Sequence, residues 1–325
     1  MRPIEGIHHV SAITGDARAN VDFYTGVLGL RMIAKTVNQD DPSVYHLFFG
    51  DEHASPGCDM TFFEYPGARP GRAGAGMVHT IVWRVADETA LEFWRDRFTT
   101  RGIEHTREGD TLRFADPEGL DHELVIDQSH DPALIAYHPE ISADVAIRGF
   151  EGVRAYSRNT EASHLLLDEL MKASTLDDGR RELRGELRGG WIKHDPPPPT
   201  EPGIPGAGTV HHVAFGIHDD QDEAWKRRLA AARIPNNSIV DRNYFRALYF
   251  REPGGVLYEL STQGPGFTVD GLSLEELGTK IILPPWLEQH RAVIEPNLTP
   301  LPDPRAEWSE HDREQAAAFV TGAVQ

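Results

Sequence analysis

Cysteine is almost missing from this chain of 325 residues, in which Cys58 stands alone. A single cysteine excludes both an internal disulfide framework and a zinc site built from cysteines. Long apolar runs are missing as well. No stretch of about 18 uncharged apolar residues occurs, so a membrane-spanning helix is not expected. With 39% hydrophobic and 26% charged residues, the composition is typical of a soluble globular protein.

Positive charge is also scarce, with 32 Lys and Arg against 51 Asp and Glu, for a formal net charge of −19. Nucleic acids and anionic membranes attract basic surfaces, so this balance argues against both kinds of partner. The first residues, Met1-Arg2-Pro3-Ile4-Glu5-Gly6, lack the apolar core of a secretory signal peptide. We therefore expect a cytoplasmic protein.

What the sequence does contain is one unit repeated four times. Its strand-like openings begin at residues 7, 78, 150 and 210 and read Ile7-His8-His9-Val10, Val78-His79-Thr80-Ile81, Phe150-Glu151-Gly152-Val153 and Val210-His211-His212-Val213. After each opening comes an amphipathic helix, and short strand candidates follow the helix. The capping side chains of the four helices are Asp16, Asp87, Asn159, and Asp219 or Asp220. The pattern predicts an α+β protein of four β-α-β-β-β modules that form open barrels of mixed sheet.

The positions of the units predict the domain organisation. Residues 1–145 are expected to form an N-terminal domain with modules at about 5–68 and 76–130. Residues 146–265 are expected to form a C-terminal domain with modules at about 147–195 and 208–263. The remaining residues, 266–325, read as a helical tail that ends in a polar helix between Glu307 and Val324.

Two histidine doublets, His8-His9 and His211-His212, open the first and last units. Neighbouring side chains on a strand point to opposite faces, so each doublet offers one imidazole to a shared interior. Units two and three carry Thr80 and Gly152 in that inward position, so the second histidines of units one and four form a matched pair. This arrangement requires the first and last units to pack around one cavity.

A carboxylate from a third strand would complete the ligand set of a non-haem iron enzyme with His9 and His212. Glu259 lies in the last strand of unit four, and Glu64 is assigned to the corresponding slot of unit one. Because a buried carboxylate is costly unless it is paired or bound to a metal, both residues are candidates. Glu259 is favoured by its more polar setting, whereas Glu123 is disfavoured because unit two lacks the histidine. The same ligands would hold Zn(II), so they do not distinguish iron from zinc.

Polar residues close to these ligands in sequence are candidate catalytic groups. Arg242 lies one strand pair before Glu259 and is suited to holding an anionic oxygen. Tyr249 is suited to donating or accepting a proton. Ser11 follows His9 by two residues and therefore shares its strand face. We expect all three side chains to line the cavity.

The motifs resemble the vicinal oxygen chelate superfamily, which includes glyoxalases, bleomycin-resistance proteins and type I extradiol dioxygenases. Within it, the chain is most similar to the hydroquinone-type ring-cleaving dioxygenases. The resemblance extends over nearly the whole chain and rests on five segments: Gly6-Ile7-His8-His9-Val10, Phe23-Tyr24-Thr25-Gly26-Val27-Leu28-Gly29-Leu30, Val210-His211-His212-Val213-Ala214, Asp241-Arg242-Asn243-Tyr244-Phe245 and Leu283-Pro284-Pro285-Trp286-Leu287-Glu288.

This resemblance implies a glyoxalase/dioxygenase-like fold and a particular assignment of the site. Fe(II) would be held by His9, His212 and Glu259. The residues around it would be His8, His211, Arg242 and Tyr249, together with Ser11, which stands where the family often has threonine.

We therefore expect an Fe(II)-dependent dioxygenase that opens a hydroquinone- or catechol-type aromatic diol with O₂, with Mn(II) or Zn(II) as other candidate metals. The expected partners are a small aromatic diol and O₂, and self-association into a homo-oligomer is left open. One alternative is a divalent-metal glyoxalase or other lyase, in which Glu64 supplies a fourth ligand. Another alternative is a non-catalytic protein that binds an aromatic drug between the repeats.

Overall fold

A computed structural model describes residues 1–197 and 202–321, which form two eight-stranded mixed sheets with short helices packed around them. The strands are β1 (Ile7–Thr14), β2 (Arg31–Asn38), β3 (Asp41–Gly50), β4 (Asp59–Glu64), β5 (Met77–Val85), β6 (His105–Glu108), β7 (Thr111–Ala115), β8 (Asp121–Ile126), β9 (Phe150–Tyr156), β10 (Ser174–Thr175), β11 (Arg181–Arg184), β12 (Gly189–Asp195), β13 (Thr209–Ile217), β14 (Val240–Asp241), β15 (Phe245–Arg251) and β16 (Leu257–Pro265).

The helices follow the first strand of each unit or lie in the tail. They are α1 (Ala17–Val21), α2 (Glu88–Arg101), α3 (Thr160–Leu165), α4 (Asp222–Ala231), α5 (Arg291–Ile294) and α6 (Glu310–Val320). Segments of π-helix continue α1 and α3, at Asp22–Val27 and Leu166–Leu170. Short 3₁₀ turns occur in the tail, at Phe267–Asp270, Leu274–Glu276, Glu288–His290 and Glu295–Asn297.

The strand order confirms the predicted α+β class and its four β-α-β-β-β modules. The first sheet, β14-β15-β16-β13-β1-β4-β3-β2, is built from units four and one, which meet where β1 pairs antiparallel with β13. The second sheet, β10-β11-β12-β9-β5-β8-β7-β6, joins units three and two in the same way. Units one and four therefore share one sheet, as the matched histidines require. Each sheet takes one unit from each predicted domain, and the boundary between residues 145 and 146 stays a prediction.

Side-chain caps explain where three of the four unit helices begin. Asp16 accepts hydrogen bonds from the backbone N–H groups of the first turn of α1, Asp87 does so for α2 and Asn159 for α3. Each cap satisfies N–H groups that have no partner inside the helix. The prediction for unit four was wrong, because α4 begins after Gln221, which makes no side-chain cap. There, Asp219 accepts instead from the backbone N–H of Gly264, at 3.0 Å.

The two sheets touch through the segment that precedes β1. The Glu5 carboxylate accepts hydrogen bonds from three successive backbone N–H groups of residues 186–188, at 2.8 to 3.2 Å. Gly6, at φ +71°, lies against Gly189, where an added Cβ would come within 2.6 Å of the backbone carbonyl carbon. The close backbone approach and the positive φ both require glycine at this position.

The first sheet curls until its opposite ends meet. Arg242, in the turn between β14 and β15, donates from Nη2 to Asp40 Oδ2 at 3.0 Å, and Asp40 lies in the turn between β2 and β3. Gln39 donates to the Arg242 carbonyl oxygen at 3.0 Å. The curl turns one face of the sheet into the wall of a cavity.

The tail covers the outer edge of this sheet. Ile282 donates its backbone N–H to the carbonyl of Lys35 on β2 at 2.9 Å, and the Lys35 ammonium donates to the Leu301 carbonyl at 2.8 Å. A covered edge strand cannot pair with another chain. The polar helix predicted between Glu307 and Val324 is present as α6, and residues 322–325 lie outside the described part of the chain. None of the helices in that part is long and apolar enough to cross a membrane.

Candidate metal centre

Strand register brings the second histidine of each doublet to one face of the first sheet. Ser11 of β1 pairs with His212 of β13, and His9 of β1 pairs with Ala214 of β13. Paired residues share a face of the sheet, so the two imidazoles are diagonal neighbours. On the other side of β13, Ala214 pairs with Glu259 of β16, which places the carboxylate on the same face.

These three side chains converge on a single point. Nε2 of His9 and Nε2 of His212 are 3.2 Å apart. Glu259 Oε2 lies 2.9 Å from His212 Nε2 and 3.4 Å from His9 Nε2. All three residues are buried, and their ligand atoms lie within 4.8 Å of one another. The structure therefore brings together the three residues that the sequence offered as metal ligands.

The first histidine of each doublet sits at a β-bulge. Register shifts make His8 an extra residue in β1 and His211 an extra residue in β13. A bulge re-aims side chains, which otherwise alternate strictly between the two faces. Both extra histidines consequently turn towards their neighbours: His8 Nδ1 lies 3.0 Å from His9 Nδ1, and His211 Nδ1 lies 2.8 Å from His212 Nδ1. The expectation that the doublets alternate between opposite faces was wrong for this reason.

A backbone carbonyl determines the protonation pattern of the first doublet. Burial, followed by the neighbouring His9, lowers the pKa of His8 to about 3, so His8 is neutral at pH 7. Its Nε2 lies 3.1 Å from the carbonyl oxygen of Thr262, which can only accept, so Nε2 carries the proton. His8 Nδ1 is then an acceptor, and His9 Nδ1 must donate to it. A neutral His9, which metal binding requires, then has a lone pair on Nε2 that faces the centre.

A divalent cation fits this arrangement. Burial alone would raise the pKa of Glu259, but His9 and His212 hold it well below its usual range, so the carboxylate is ionised. Ser261 donates to Glu259 Oε1 at 2.7 Å. In the described residues, no donor meets the other oxygen, Oε2, with hydrogen-bond geometry. Lone pairs that converge in a buried site repel one another unless a cation lies between them, and two imidazoles with one carboxylate suit Fe(II), Mn(II) and Zn(II).

Arg242 and Tyr249 lie beside the three ligands. Arg242 Nε donates to the Tyr249 oxygen at 3.3 Å, and the Tyr249 ring lies 5.6 Å from that of His212. Burial by itself would lower the pKa of Arg242, but the oxygens of Tyr249 and Asp40 raise it above its ordinary value. Burial and the charge of Glu259 raise the pKa of Tyr249 well above its usual range. The site thus presents a fixed cation and a neutral phenol.

The cavity in front of the ligands is narrow, with a volume of about 40 Å³, and has a largely aromatic wall. Besides His9, His212, Arg242 and Tyr249, the residues lining it include Thr36, Asn38, His46, Phe48, Phe63, Tyr244 and Phe245. Ser11, expected to line the cavity, is not among these residues; it is fully buried, and its Oγ lies 2.6 Å from Thr61 Oγ1. The aromatic wall with its few polar groups suits a monocyclic aromatic compound in character.

The sequence profile of the Glyoxalase/Bleomycin resistance protein/Dioxygenase superfamily matches residues 6–124. Over 319 residues the chain is 40% identical to a Bacillus subtilis protein named "Putative ring-cleaving dioxygenase MhqA", with 92% of this chain and 99% of that protein aligned. The chain belongs to this superfamily.

Two further superfamily members extend the comparison. "Chlorohydroquinone/hydroquinone 1,2-dioxygenase" of Sphingobium indicum is 32% identical over 304 residues, which are 88% of this chain and 93% of that protein. A crystal structure from Bacillus subtilis, described as a "putative dioxygenase", matches with a TM-score of 0.85 and 38% identity over 93% of this chain and 98% of that one. The glyoxalase/dioxygenase-like fold predicted from the sequence is thereby confirmed.

The strand register also shows which residue of unit one corresponds to Glu259 of unit four. Ser11 pairs with Thr61 as Ala214 pairs with Glu259, so Thr61 stands where the other half of the sheet has the glutamate. The assignment of Glu64 to that slot was wrong. Glu64 lies on the opposite face of β4, where its Oε1 accepts from Thr299 Oγ1 at 2.9 Å. Glu64 therefore cannot complete a four-ligand site with the other three residues.

The second sheet repeats the geometry without the ligands. Val82 pairs with Glu123 in the corresponding slot, but Glu123 accepts from Arg113 and Arg154, at 2.9 and 3.1 Å. The histidine positions are Thr80 and Gly152, and a Cβ on Gly152 would meet the Trp191 ring at 2.3 Å. Superfamily geometry alone therefore does not make a metal centre, and only the first sheet supplies one in the described residues.

Among the polar residues that the sequence analysis missed are Gln39, Asp40 and His46, which line the cavity, and Thr61, which contacts His46. They lie in unit one, outside the strand-opening motifs that directed attention to the doublets. The repeat alignment could have identified Thr61 as the partner of Glu259, if the last strands had been aligned from their paired openings. No sequence signal connects Asp40 with Arg242, because their contact depends on the curl of the sheet.

Proposed function

We propose that this protein is an Fe(II)-dependent dioxygenase that cleaves the ring of a hydroquinone- or catechol-type aromatic diol with O₂. The observation that carries the proposal is the buried group His9, His212 and Glu259, whose ligand atoms converge at the end of an aromatic cavity. Relatives named as ring-cleaving dioxygenases support the same reaction class.

The metal would be held by His9 Nε2, His212 Nε2 and Glu259 Oε2. Such a set occupies one side of an iron ion, so that when bound the metal supplies open positions for the diol and O₂ together. His8 fixes the His9 ring and its tautomer through the hydrogen bond to Thr262. Partners of this kind orient metal-bound histidines and raise their basicity.

Substrate binding falls to the cavity walls and to Arg242. The aromatic side chains exclude water and stack against the substrate ring. The Arg242 guanidinium, held by Asp40 and Tyr249, is preorganised to stabilise negative charge that develops on a substrate oxygen.

Tyr249 and His211 are the proposed proton-transfer groups. Tyr249 stays a protonated phenol and is the proposed donor, since its pKa lies well above the usual range. Burial, and then the neighbouring His212, lower the pKa of His211 to about 4. At neutral pH it is therefore a neutral base beside Phe63 of the cavity wall, and we assign it the proton of the substrate hydroxyl.

Anaerobic reconstitution with Fe(II), followed by oxygen uptake with hydroquinones and catechols side by side, tests the proposal. We expect stoichiometric O₂ consumption with ring opening for at least one of the two classes, and none with Zn(II)-loaded protein. Glu259→Ala protein should neither retain iron nor consume O₂. Absence of uptake with both substrate classes by iron-loaded wild-type protein would overturn the proposal. Tight diol binding without uptake would point to the binding-protein alternative.

A further inference from the structure

His46 is a half-buried polar group of the cavity that has no place in the function described above. It lies on β3, where its ring is held between Phe48 and Phe63, with centroids 4.0 and 4.2 Å away. Its Nε2 lies 3.0 Å from Thr61 Oγ1. Its Nδ1 has no hydrogen-bond partner among the described residues. A histidine clamped in this way presents one unused ring nitrogen in a fixed direction.

Thr61 connects His46 to the metal centre. Thr61 occupies the slot that corresponds to Glu259 in the other half of the sheet, and its hydroxyl is engaged by Ser11 at 2.6 Å and by His46 at 3.0 Å. No fourth protein ligand comes from this side in the described residues, so an exogenous ligand that approaches from unit one meets His46. His46 lines the same cavity as His9, His212 and Arg242.

A neutral imidazole can form a hydrogen bond with a phenolic hydroxyl group. Burial, and then the nearby His9, lower the pKa of His46 well below its usual range, so one ring nitrogen donates and the other accepts. If Thr61 donates to Nε2, then Nδ1 carries the proton and donates; if Nε2 donates, then Nδ1 accepts. A hydroxyl group can pair with Nδ1 in either case, because it is both donor and acceptor.

Resting on the proposed function, we propose that His46 is a substrate-binding residue, whose Nδ1 pairs with the hydroxyl of the aromatic diol that the metal does not hold. With the metal bound, it would hold the first oxygen of the diol, the aromatic walls would hold the ring, and His46 would bind the second oxygen. His46 thereby distinguishes diols from simple phenols. It is a specificity determinant that leaves the metal ligands unchanged.

Binding to Zn(II)-loaded protein under anaerobic conditions tests this assignment without turnover. Calorimetric titration with hydroquinone and with phenol, which lacks the second hydroxyl, gives an affinity ratio for each variant. We expect wild-type protein to bind hydroquinone about tenfold more tightly than phenol, which corresponds to one well-formed hydrogen bond and its desolvation. In His46→Phe protein the ratio should fall to about one, with phenol affinity unchanged. His46→Gln, which keeps a polar group at this position, should retain part of the ratio.

Further variants make the result decisive. His46→Leu repeats the comparison with a smaller side chain, should the phenylalanine not be accommodated. His105→Phe is the matched control on β6 of the second sheet, and it should keep the wild-type ratio. The assignment would be overturned by a ratio near one in wild-type protein or by an unchanged ratio in the His46 variants. It would also be overturned if these variants lost affinity for hydroquinone and for phenol equally. Failure of the proposed reaction would instead appear as absent oxygen uptake by iron-loaded wild-type protein, whatever the binding ratio.

Discussion

The imidazole of His8 donates from Nε2 to the carbonyl oxygen of Thr262, at 3.1 Å. This bond makes His8 Nδ1 an acceptor, so a neutral His9 carries its proton on Nδ1 and its lone pair on the metal-facing Nε2. The hydrogen-bond chain links a carbonyl on β16 to a ligand on β1, and it prepares the site before a metal arrives.

Substitution of His8 should weaken metal binding even though His8 does not point at the centre. In His8→Phe protein we expect Fe(II) or Zn(II) affinity to fall by about 10- to 100-fold, since the His9 ring loses its fixed tautomer and orientation. Metal titration against a competing chelator measures this. The matched control is His79→Phe, because His79 is the extra residue at the corresponding bulge of the second sheet. Metal affinity equal to wild type in the His8 variant would contradict the role assigned to the Thr262 bond.

Thr61→Glu should place a second carboxylate opposite Glu259. Because each added anionic ligand strengthens cation binding, we expect Zn(II) affinity to rise by about tenfold over that of Thr61→Gln, the uncharged control of similar size. Oxygen uptake by the iron-loaded variant should fall, since an open position is lost. If the glutamate and glutamine variants bind Zn(II) equally, then Thr61 does not lie within reach of the metal.

Asp40→Asn should loosen the contact that closes the cavity without destabilising the fold. Asp40 is 73% exposed, so its ion pair with Arg242 is expected to contribute less than about 1 kcal/mol to the free energy of unfolding. Ligand association, followed by stopped-flow fluorescence, should be faster in this variant than in wild-type protein. High salt should also accelerate ligand association to wild-type protein, because it screens the ion pair. Asp41→Asn serves as the control, since Asp41 bonds only within its own turn, to Ser43. Identical association rates in all three proteins would show that the contact does not limit access.

Stability at acid pH should depend on a buried pair joined by Tyr24, whose oxygen lies 3.0 Å from His122 Nε2 and 3.1 Å from Asp116 Oδ2. Burial lowers the pKa of His122 from 6.5 to about 3, so only the unfolded chain takes up this proton as the pH falls below 6.5, and stability is lost down to about pH 3. Burial raises the pKa of Asp116 from 3.8 to about 6, so the folded chain takes up its proton first, and stability is gained as the pH falls from 6 to 3.8.

The two effects oppose each other between about pH 6 and pH 4. Removing the carboxyl group of Asp116 should therefore reveal the effect of His122 on stability. We expect Asp116→Asn protein to lose stability more steeply than wild type over this interval, by up to about 1.4 kcal/mol per pH unit. Urea unfolding at a series of pH values measures the slope, and the slope is the test rather than the absolute stability. Parallel slopes in the two proteins would mean that Asp116 is already ionised in the folded state.

The sequence by itself determined the repeat, the module and the matched histidines. Strand-opening segments with β-branched residues, and caps such as Asp87 and Asn159, encode local structure within a few neighbouring residues. The inward pair His9 and His212 was readable because four copies of one unit can be compared position by position. Glu259 was favoured over Glu64 from its polar setting and from the resemblance, and only the register showed that Glu64 faces away.

Tertiary structure decided what depends on pairing between distant strands. The bulges at His8 and His211 have no local signature, since an extra residue is defined only against the partner strand. The contact of Asp40 with Arg242 exists because the sheet curls, and the Thr61–His46 bond exists because β3 lies beside β4. The doublets thus identified a candidate ligand set, whereas the fold determined which nitrogen of each ring faces the centre and which residues surround the substrate.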